Sequence, residues 1–120
     1  MNKYYFDSCI WRDYFENRSD KFRPLIIYSD IVEEELNVGF SKEEVKNIIS
    51  VVPKENIIKI NVSKEQLREA IQVSKELNIP TKDALHAIVA RNNNAILVTR
   101  DKHFYELQNQ VEIKKPEDLI

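Results

Sequence analysis

The stretch Ala95-Ile96-Leu97-Val98-Thr99-Arg100-Asp101 decides the fold, because a continuous apolar run passes there into polar residues. A strand with apolar residues at successive positions is covered on both faces, which is typical of a parallel sheet. The stretch Tyr4-Tyr5-Phe6-Asp7-Ser8 has the same pattern, an apolar run that ends at an acid. Both stretches therefore predict buried strands with carboxylates at their carboxyl ends.

Helical segments separate further apolar runs along the chain. We predict strands over 3–6, 24–28, 56–62, 95–99 and 110–114. We predict helices over 9–17, from Ser29 or Asp30 through Leu36, from 41 to about 52, from 63 to about 78, over 82–92 and, as a short helix, over 102–107. Strands that alternate with helices imply right-handed crossovers and a parallel sheet. The sequence thus predicts an α/β fold, a three-layer α/β/α sandwich with a parallel central sheet of four to five strands, as one domain over residues 1–120.

Capping residues indicate where the helices begin and end. Ser41 with Glu44, and Ser63 with Gln66, have the spacing of a capping box at a helix N-terminus. Gly39 is the only glycine of the chain, and it stands where a helix commonly ends in a residue with positive φ. We therefore expect a left-handed backbone conformation at Gly39.

The composition excludes several classes of protein. The chain has 120 residues, 18 Lys and Arg against 20 Asp and Glu, two His, one Cys and one Gly. A single Cys excludes an internal disulfide and a cysteine zinc site, and a single Gly excludes a glycine-rich phosphate loop. No apolar run reaches the ~20 residues of a membrane span, and the N-terminus shows no secretory signal. We therefore expect a cytoplasmic protein without a membrane partner.

Acidic side chains recur where the predicted strands end. Asp7 and Asp101 follow strands closely, Asp83 lies in the first turn of the helix over 82–92, and three acids at 33–35 follow the second strand. Any one of them alone is explained as an acid that caps a helix or suits its dipole. Together they should converge, because the carboxyl ends of parallel strands share one edge of the sheet. Clustered oxygen ligands with little His or Cys select Mg²⁺ or Mn²⁺.

Four segments of the chain resemble the PIN-domain family, the nuclease fold of many prokaryotic type II toxins of the VapC kind. In chain order they are Tyr4-Tyr5-Phe6-Asp7-Ser8, Ser29-Asp30-Ile31-Val32-Glu33-Glu34-Glu35-Leu36, Lys82-Asp83-Ala84-Leu85-His86-Ala87 and Ile96-Leu97-Val98-Thr99-Arg100-Asp101-Lys102-His103-Phe104. The resemblance covers nearly the whole chain and rests on the order and spacing of the segments. It implies a divalent-metal-dependent endoribonuclease that hydrolyses RNA phosphodiester bonds. It also implies an antitoxin protein as partner, if the chain is the toxin of a type II pair, and a homodimer.

The family's metal-binding acids fall on four positions of this chain: Asp7, Glu35, Asp83 and Asp101. The resemblance implies that these acids hold Mg²⁺ or Mn²⁺, and that the hydroxyls of Ser8 and Thr99 support the site. We place the second acid at Glu35 rather than at Glu33 or Glu34, because neighbours one or two positions apart on a helix face other directions. Many family members carry a further acid after the last one, whereas here His103 and Phe104 stand in its place.

Basic residues near these acids are the predicted substrate contacts. Arg12, Arg100 and Lys102 lie close to the acids in sequence, and cations of this kind position nucleic-acid phosphates. Taken singly, each is better explained as solvated surface charge. His86 follows Asp83 by three residues, and we interpret it as a packed or hydrogen-bonded helix residue rather than a metal ligand.

Two other classes of function stay open from the sequence. A catalytically silent PIN-like domain that binds RNA or protein would have the same fold. A phosphoacceptor signalling domain is also an α/β protein of about this length. It requires an Asp after the third strand, however, where this chain has Ile60-Asn61-Val62-Ser63, so the sequence disfavours it.

Overall fold

Five parallel strands form the central sheet in the described part of the chain, residues 2–16 and 25–119. The structure is a computed structural model, in which only the backbone is described over 13–16. The strands are β1 (Lys3–Phe6), β2 (Leu25–Ser29), β3 (Ile57–Ile60), β4 (Ala95–Val98) and β5 (Ile113–Lys114). Their order across the sheet is β3-β2-β1-β4-β5, and every neighbouring pair is parallel. The predicted α/β fold with a parallel sheet is confirmed.

Helices connect the strands as the alternation in the sequence predicts. They are α1 (Ser8–Glu16), α2 (Asp30–Gly39), α3 (Lys42–Ile49), α4 (Lys64–Leu77) and α5 (Thr81–Asn92), with 3-10 turns at Lys54–Asn56, Lys102–Leu107 and Pro116–Leu119. The short helix predicted over 102–107 is thus a 3-10 helix. The predicted helix end at residue 17 and strand start at residue 24 lie outside the described residues. No helix in the described ranges is long and apolar enough to cross a membrane.

Alternating side chains of β1 show that helices cover both faces of the sheet. The Phe6 ring packs edge-on against Trp11 of α1, with ring centroids 5.7 Å apart, and Trp11 packs edge-on against Tyr28 of β2 at 6.0 Å. The ring of Tyr5, the neighbouring strand residue, lies 5.4 Å from that of His86 on α5. Because successive strand residues point to opposite faces, α1 and α5 lie on opposite sides of the sheet. This arrangement is the predicted three-layer sandwich.

Helix α5 is the most deeply buried helix of the described chain. Every residue from 84 to 90 is buried, and α5 packs against both α4 and β4. A helix that is apolar around its whole circumference must be covered on all sides. His86 is the imidazole in this buried stretch, so its polar ring atoms require partners inside the protein.

The two predicted capping boxes are confirmed. At the start of α3, the Ser41 hydroxyl accepts from the Glu44 N–H at 3.1 Å, and the Glu44 carboxylate accepts from the Ser41 N–H at 3.0 Å. At the start of α4, the corresponding bonds between Ser63 and Gln66 measure 3.1 and 2.9 Å. Each box satisfies two backbone N–H groups that a helix N-terminus leaves without partners.

The left-handed conformation expected at Gly39 is wrong. Gly39 is the last residue of α2 and has no positive φ, and Phe40 follows in an extended conformation. The Phe40 N–H donates to Leu36 O at 2.9 Å, an ordinary helical bond, so α2 ends without a left-handed residue. Among the described residues, positive φ values occur instead at Asn78 and Asn94. Asn tolerates this conformation because its short polar side chain bonds locally.

Replacing Gly39 by alanine should stabilise the protein. A Cβ added at Gly39 meets no atom within 4 Å, so Gly39→Ala should raise the free energy of unfolding by about 0.4–1 kcal/mol through reduced freedom of the unfolded chain. The matched control is Asn78→Ala at φ 54°, which should lower that free energy by about 1 kcal/mol. Urea unfolding measures both. A destabilising Gly39→Ala would show that the helix end needs the glycine after all.

Candidate active site

The order in which the chain adds strands to the sheet reverses between β1 and β4. The chain runs outward from β1 through β2 to β3, then returns to place β4 on the other side of β1. In open parallel sheets, ligands bind beyond the carboxyl ends of the strands at such a reversal. Asp7 directly follows β1, and Thr99 directly follows β4. The Asp7 N–H donates to Val98 O at 3.3 Å, so the two strand ends are joined here.

Three hydrogen bonds organise the surroundings of the Asp7 carboxylate. Its Oδ1 accepts from the Ile10 N–H at 3.0 Å, which caps α1. Its Oδ2 accepts from the Thr99 hydroxyl, and that hydroxyl accepts from the Asp101 N–H at 3.0 Å. Thr99 therefore joins two of the predicted acids. The first turn of α1 and the segment after β4 are held together through these contacts.

Asp7 is a buried carboxyl group near other charges. Its side chain is buried, and this burial raises the pKa of Asp7 above its ordinary value. Hydrogen bonds from Thr99 and Ile10 and the proximity of His86 lower that pKa without cancelling the effect, while the charge of Glu35 raises it further. The ionised form of Asp7 would therefore be stabilised by a cation placed beside it.

A buried chain of hydrogen bonds leads from β2 to the second predicted acid. The Ser29 hydroxyl lies 2.7 Å from the Tyr5 hydroxyl, which lies 2.6 Å from His86 Nδ1. The other ring nitrogen, His86 Nε2, is bonded to Glu35 Oε1. The chain thus runs from the sheet through α5 to α2. His86 is 1% exposed and is a hydrogen-bonded helix residue, as predicted from the sequence.

Glu35 is the acid of α2 that faces this region. Burial tends to raise the pKa of Glu35, but the hydrogen bond and charge of His86, together with the charge of Lys82, hold it below its usual value. Glu33 faces β3 instead, where it pairs with Lys59 at 3.2 Å. Glu34 is exposed. Of the three consecutive acids, Glu35 is therefore the one that lies against His86, and its role as a metal ligand stays a prediction.

Asp83 and Asp101 complete the group of acids. Asp83 lies in the first turn of α5, and Asp101 caps the 3-10 helix Lys102–Leu107 by accepting from the His103 N–H at 2.9 Å. Partial burial raises the pKa of Asp83, and the charges of Asp101 and Glu35 raise it further, although His86 and His103 act in the opposite direction. Asp83 is thus close enough to two other acids for their charges to act on it.

The donor type of this group suits a hard divalent cation. Carboxylate oxygens are the ligands that Mg²⁺ and Mn²⁺ prefer, and mutual repulsion among acids is relieved by a cation. In the arrangement described here, however, no three or more His, Cys, Asp or Glu side chains of the described residues are placed to hold a metal ion together. In this arrangement Asp7 is hydrogen-bonded to Thr99, and Glu35 is hydrogen-bonded to His86.

The predicted basic contacts lie at the surface of the protein. Arg12 and Lys102 are exposed, and the Arg12 guanidinium lies 3.7 Å from Cys9 Sγ. Arg100 is paired with Glu117, and both side chains are about half exposed. Ser8 is the first residue of α1 and is partly buried.

Sequence reasoning did not identify Tyr5 and Ser29 as parts of the site. Tyr5 was interpreted as strand core and Ser29 as a helix cap, yet the Ser29 hydroxyl makes no cap bond and contacts Tyr5 instead. The register pairs Tyr5 with Ile27, so Tyr5 and Ser29 lie on the same face of the sheet. The sequence contained a usable indication. Side chains alternate between the two faces of a strand, which places the hydroxyls of Tyr5 and Ser29 on the face that packs against the helix carrying His86.

The comparison with protein families identifies the class to which this chain belongs. Residues 4–110 match the family model described as the PIN domain. The chain belongs to the PIN-domain family, and the resemblance found in its four sequence segments is confirmed.

Several solved structures share the fold of this chain. VapBC2 from Rickettsia felis, determined bound to a promoter DNA fragment, is 21% identical with a TM-score of 0.72, over 94% of this chain and 98% of that one. A toxin–antitoxin complex from Klebsiella pneumoniae is 21% identical with a TM-score of 0.67, over 90% and 94%. PAE2754 from Pyrobaculum aerophilum is 18% identical with a TM-score of 0.66, over 98% and 93%. No curated protein matches the chain significantly.

Removing the charge of Asp83 should stabilise the protein at neutral pH in the absence of divalent metal. Because its pKa is raised in the folded state, ionisation of Asp83 disfavours folding once the pH exceeds that folded pKa. Asp83→Asn should therefore raise the free energy of unfolding at pH 7 by about 0.5 kcal/mol, a small value because solvent screens a partly exposed group. The gain should disappear toward pH 3, where both side chains are uncharged.

Urea unfolding across this pH range, in the presence of a chelator, measures the effect. Glu34→Gln is the matched control, because Glu34 is exposed and should change the free energy by less than about 0.5 kcal/mol. A loss of stability in Asp83→Asn at pH 7 would contradict the repulsion inferred for this group of acids.

Proposed function

We propose that the chain is a divalent-metal-dependent endoribonuclease that hydrolyses RNA phosphodiester bonds. One observation carries the proposal. In this chain of the PIN-domain family, the charge of Glu35 acts on both Asp7 and Asp83. The charge of Asp101 also acts on Asp83, and Asp7 lies where the order of the strands reverses. The choice of RNA as substrate rests on the resemblance of the four segments to VapC-type nucleases.

The residues that would hold Mg²⁺ or Mn²⁺ are the four acids, Asp7, Glu35, Asp83 and Asp101. When bound, such a cation supplies the activation of water and the charge stabilisation that a phosphodiester displacement needs. The protein's own part is to orient the ligands. Thr99 holds Asp7 and binds the backbone of the segment that carries Asp101, while α5 presents Asp83 from the opposite side of the sheet to α1.

Surface cations near the acids are the proposed phosphate contacts. Arg12 is exposed in the middle of α1, which follows Asp7, and Lys102 is exposed directly after Asp101. Arg100 is engaged by Glu117, but an ion pair this exposed contributes little to stability. A substrate phosphate can therefore compete with Glu117 for Arg100 without losing much stability from that ion pair.

The proposed biological setting is a toxin–antitoxin pair. The structures from Rickettsia felis and Klebsiella pneumoniae that share this fold come from such systems. By that likeness, the proposed protein partner of this chain is an antitoxin. A homodimer and a cytoplasmic location stay predictions.

A catalytically silent PIN-like domain that binds RNA or protein is the second candidate. The observation that favours it is the pairing of Glu35 with His86 and of Asp7 with Thr99, which leaves no three of the described acids placed as a ready chelate. The two candidates differ in whether metal draws these carboxylates together. Measurements of metal binding and of RNA cleavage distinguish the two candidates.

Cleavage of RNA should depend on metal and on the acids. With Mg²⁺ or Mn²⁺ the protein should cut RNA, and a chelator should abolish the activity. Asp7→Asn and Asp101→Asn should each lower the rate by about 100-fold or more, on the scale of lost charge stabilisation in other hydrolytic sites. Glu34→Gln is the matched control on α2 and should keep full activity. Undiminished cleavage by the Asp7 and Asp101 variants would point to a contaminating nuclease and remove the site assignment.

Metal binding should be measurable without substrate. Calorimetric titration should show Mn²⁺ binding to the wild-type protein at millimolar concentrations or below, and binding should weaken in Asp83→Asn but not in Glu34→Gln. Bound metal should also raise the melting temperature, because a ligand that binds only the folded state stabilises it. If the wild-type protein binds no Mn²⁺ at millimolar concentrations, the silent domain becomes the better account.

A further inference from the structure

We propose that His86 is a positioning residue that fixes the carboxylate of Glu35, with Tyr5 and Ser29 fixing the ring of His86. The inference rests on the proposed function, because it assigns Glu35 to the same site. It goes beyond that function by naming three residues that touch neither metal nor substrate.

Both ring nitrogens of His86 are used inside the protein. Nδ1 lies 2.6 Å from the Tyr5 hydroxyl, and Nε2 is bonded to Glu35 Oε1. The ring is also enclosed by aromatic neighbours, with the Phe104 and Tyr5 centroids at 6.4 and 5.4 Å. The bond from Tyr5 at Nδ1 and the contacts with two aromatic rings restrain the ring independently of Glu35. The position of Nε2 is therefore held from the core of the protein as well as by Glu35.

The chemistry of Glu35 sets the direction of its hydrogen bond to His86. A carboxylate oxygen can only accept, so His86 Nε2 donates to Glu35 Oε1. On the other side of the ring, His86 Nδ1 shares a hydrogen bond with the Tyr5 hydroxyl, which in turn shares one with the Ser29 hydroxyl.

The arrangement leaves one oxygen of Glu35 for the site. His86 engages Oε1, and within the described part of the chain Oε2 has no hydrogen-bond partner. The Glu35 side chain is 27% exposed, whereas the side chain of His86 is 2% exposed. A carboxylate anchored through one oxygen can present the other in a fixed direction. Partners that orient a ligand in this way commonly change metal affinity when they are removed.

The same bond joins two helices that carry acids. His86 lies one turn after Asp83 on α5, so both occupy the same face of that helix. Glu35 lies on α2, which follows a different strand. The bond between His86 and Glu35 therefore joins the helix of the second acid to the helix of the third. Packing alone would not require this contact, since an apolar side chain would fill the same buried position.

Two substitutions at His86 separate positioning from packing. His86→Gln places an amide nitrogen near the position of Nε2 and keeps the donor to Glu35, whereas His86→Asn reproduces the Nδ1 side and loses that donor. His86→Asn should lower Mn²⁺ affinity by about 10- to 100-fold, the range seen when orienting partners are removed. His86→Gln should keep the affinity within about threefold, as expected when one neutral hydrogen bond is exchanged. Equal affinities in the two variants would overturn the proposal.

Tyr5→Phe tests the inner part of the chain with little risk to folding, because the aromatic ring is kept. It should lower Mn²⁺ affinity by about threefold or more, since the His86 ring loses one of its two anchors. Tyr28→Phe is the matched control, because the Tyr28 hydroxyl bonds to Glu33 at 3.4 Å on the other face of the sheet. An affinity unchanged in Tyr5→Phe would contradict the role given to Tyr5.

A readout in metal-free protein keeps this proposal separate from the proposed function. Nitrogen NMR of the imidazole rings should show a proton on His86 Nε2, and the Glu35 carboxyl carbon should shift in His86→Asn but not in His86→Gln. The chain has only two His, so His103→Gln assigns the signals. A His86 ring without a proton on Nε2 would overturn the proposal. Failure of the wild-type protein to bind Mn²⁺ would instead remove the proposed function and leave this readout intact.

Discussion

The buried carboxylate of Asp7 is the constraint around which the described structure is organised. It stands at the end of the central strand, caps α1 through Ile10 and accepts the hydroxyl of Thr99. An ionised group so little exposed is unfavourable unless it is hydrogen-bonded or paired with a cation. The two hydrogen bonds meet part of that requirement and leave the pKa of Asp7 raised. Because these hydrogen bonds do not fully offset the cost of burying the charge, we expect a cation beside Asp7.

Asp7 and Glu35 are held by two different kinds of contact. Near Asp7, a strand end and a helix cap fix the carboxylate by backbone geometry. Near Glu35, a chain of buried polar side chains running through Tyr5 and His86 does the same from the core. Networks of this kind are stabilising only when each member is satisfied. This network is compatible with a closely packed interior because both ring nitrogens of His86 have hydrogen-bond partners.

Most of the fold followed from periodicity, because parallel strands buried on both faces and amphipathic helices leave strong local patterns. The positions of Asp7 and Asp101 followed from the rule that strand ends share an edge, and both capping boxes followed from spacing. Gly39 was misjudged because a helix can end through an ordinary bond followed by extended backbone. The network of Tyr5 and His86 joins residues far apart in sequence, and no local pattern records which buried polar groups will meet.

The central claim is that the acids bind one divalent ion together. A crystal of this protein soaked in Mn²⁺ and measured at the manganese absorption edge would locate the ion directly. We expect an anomalous peak within coordinating distance of Asp7 and Asp83, with Asp101 or Glu35 completing the protein ligands. A peak bound elsewhere, or no peak beside Asp7 in a crystal whose solvent holds millimolar Mn²⁺, would contradict the metal-dependent site.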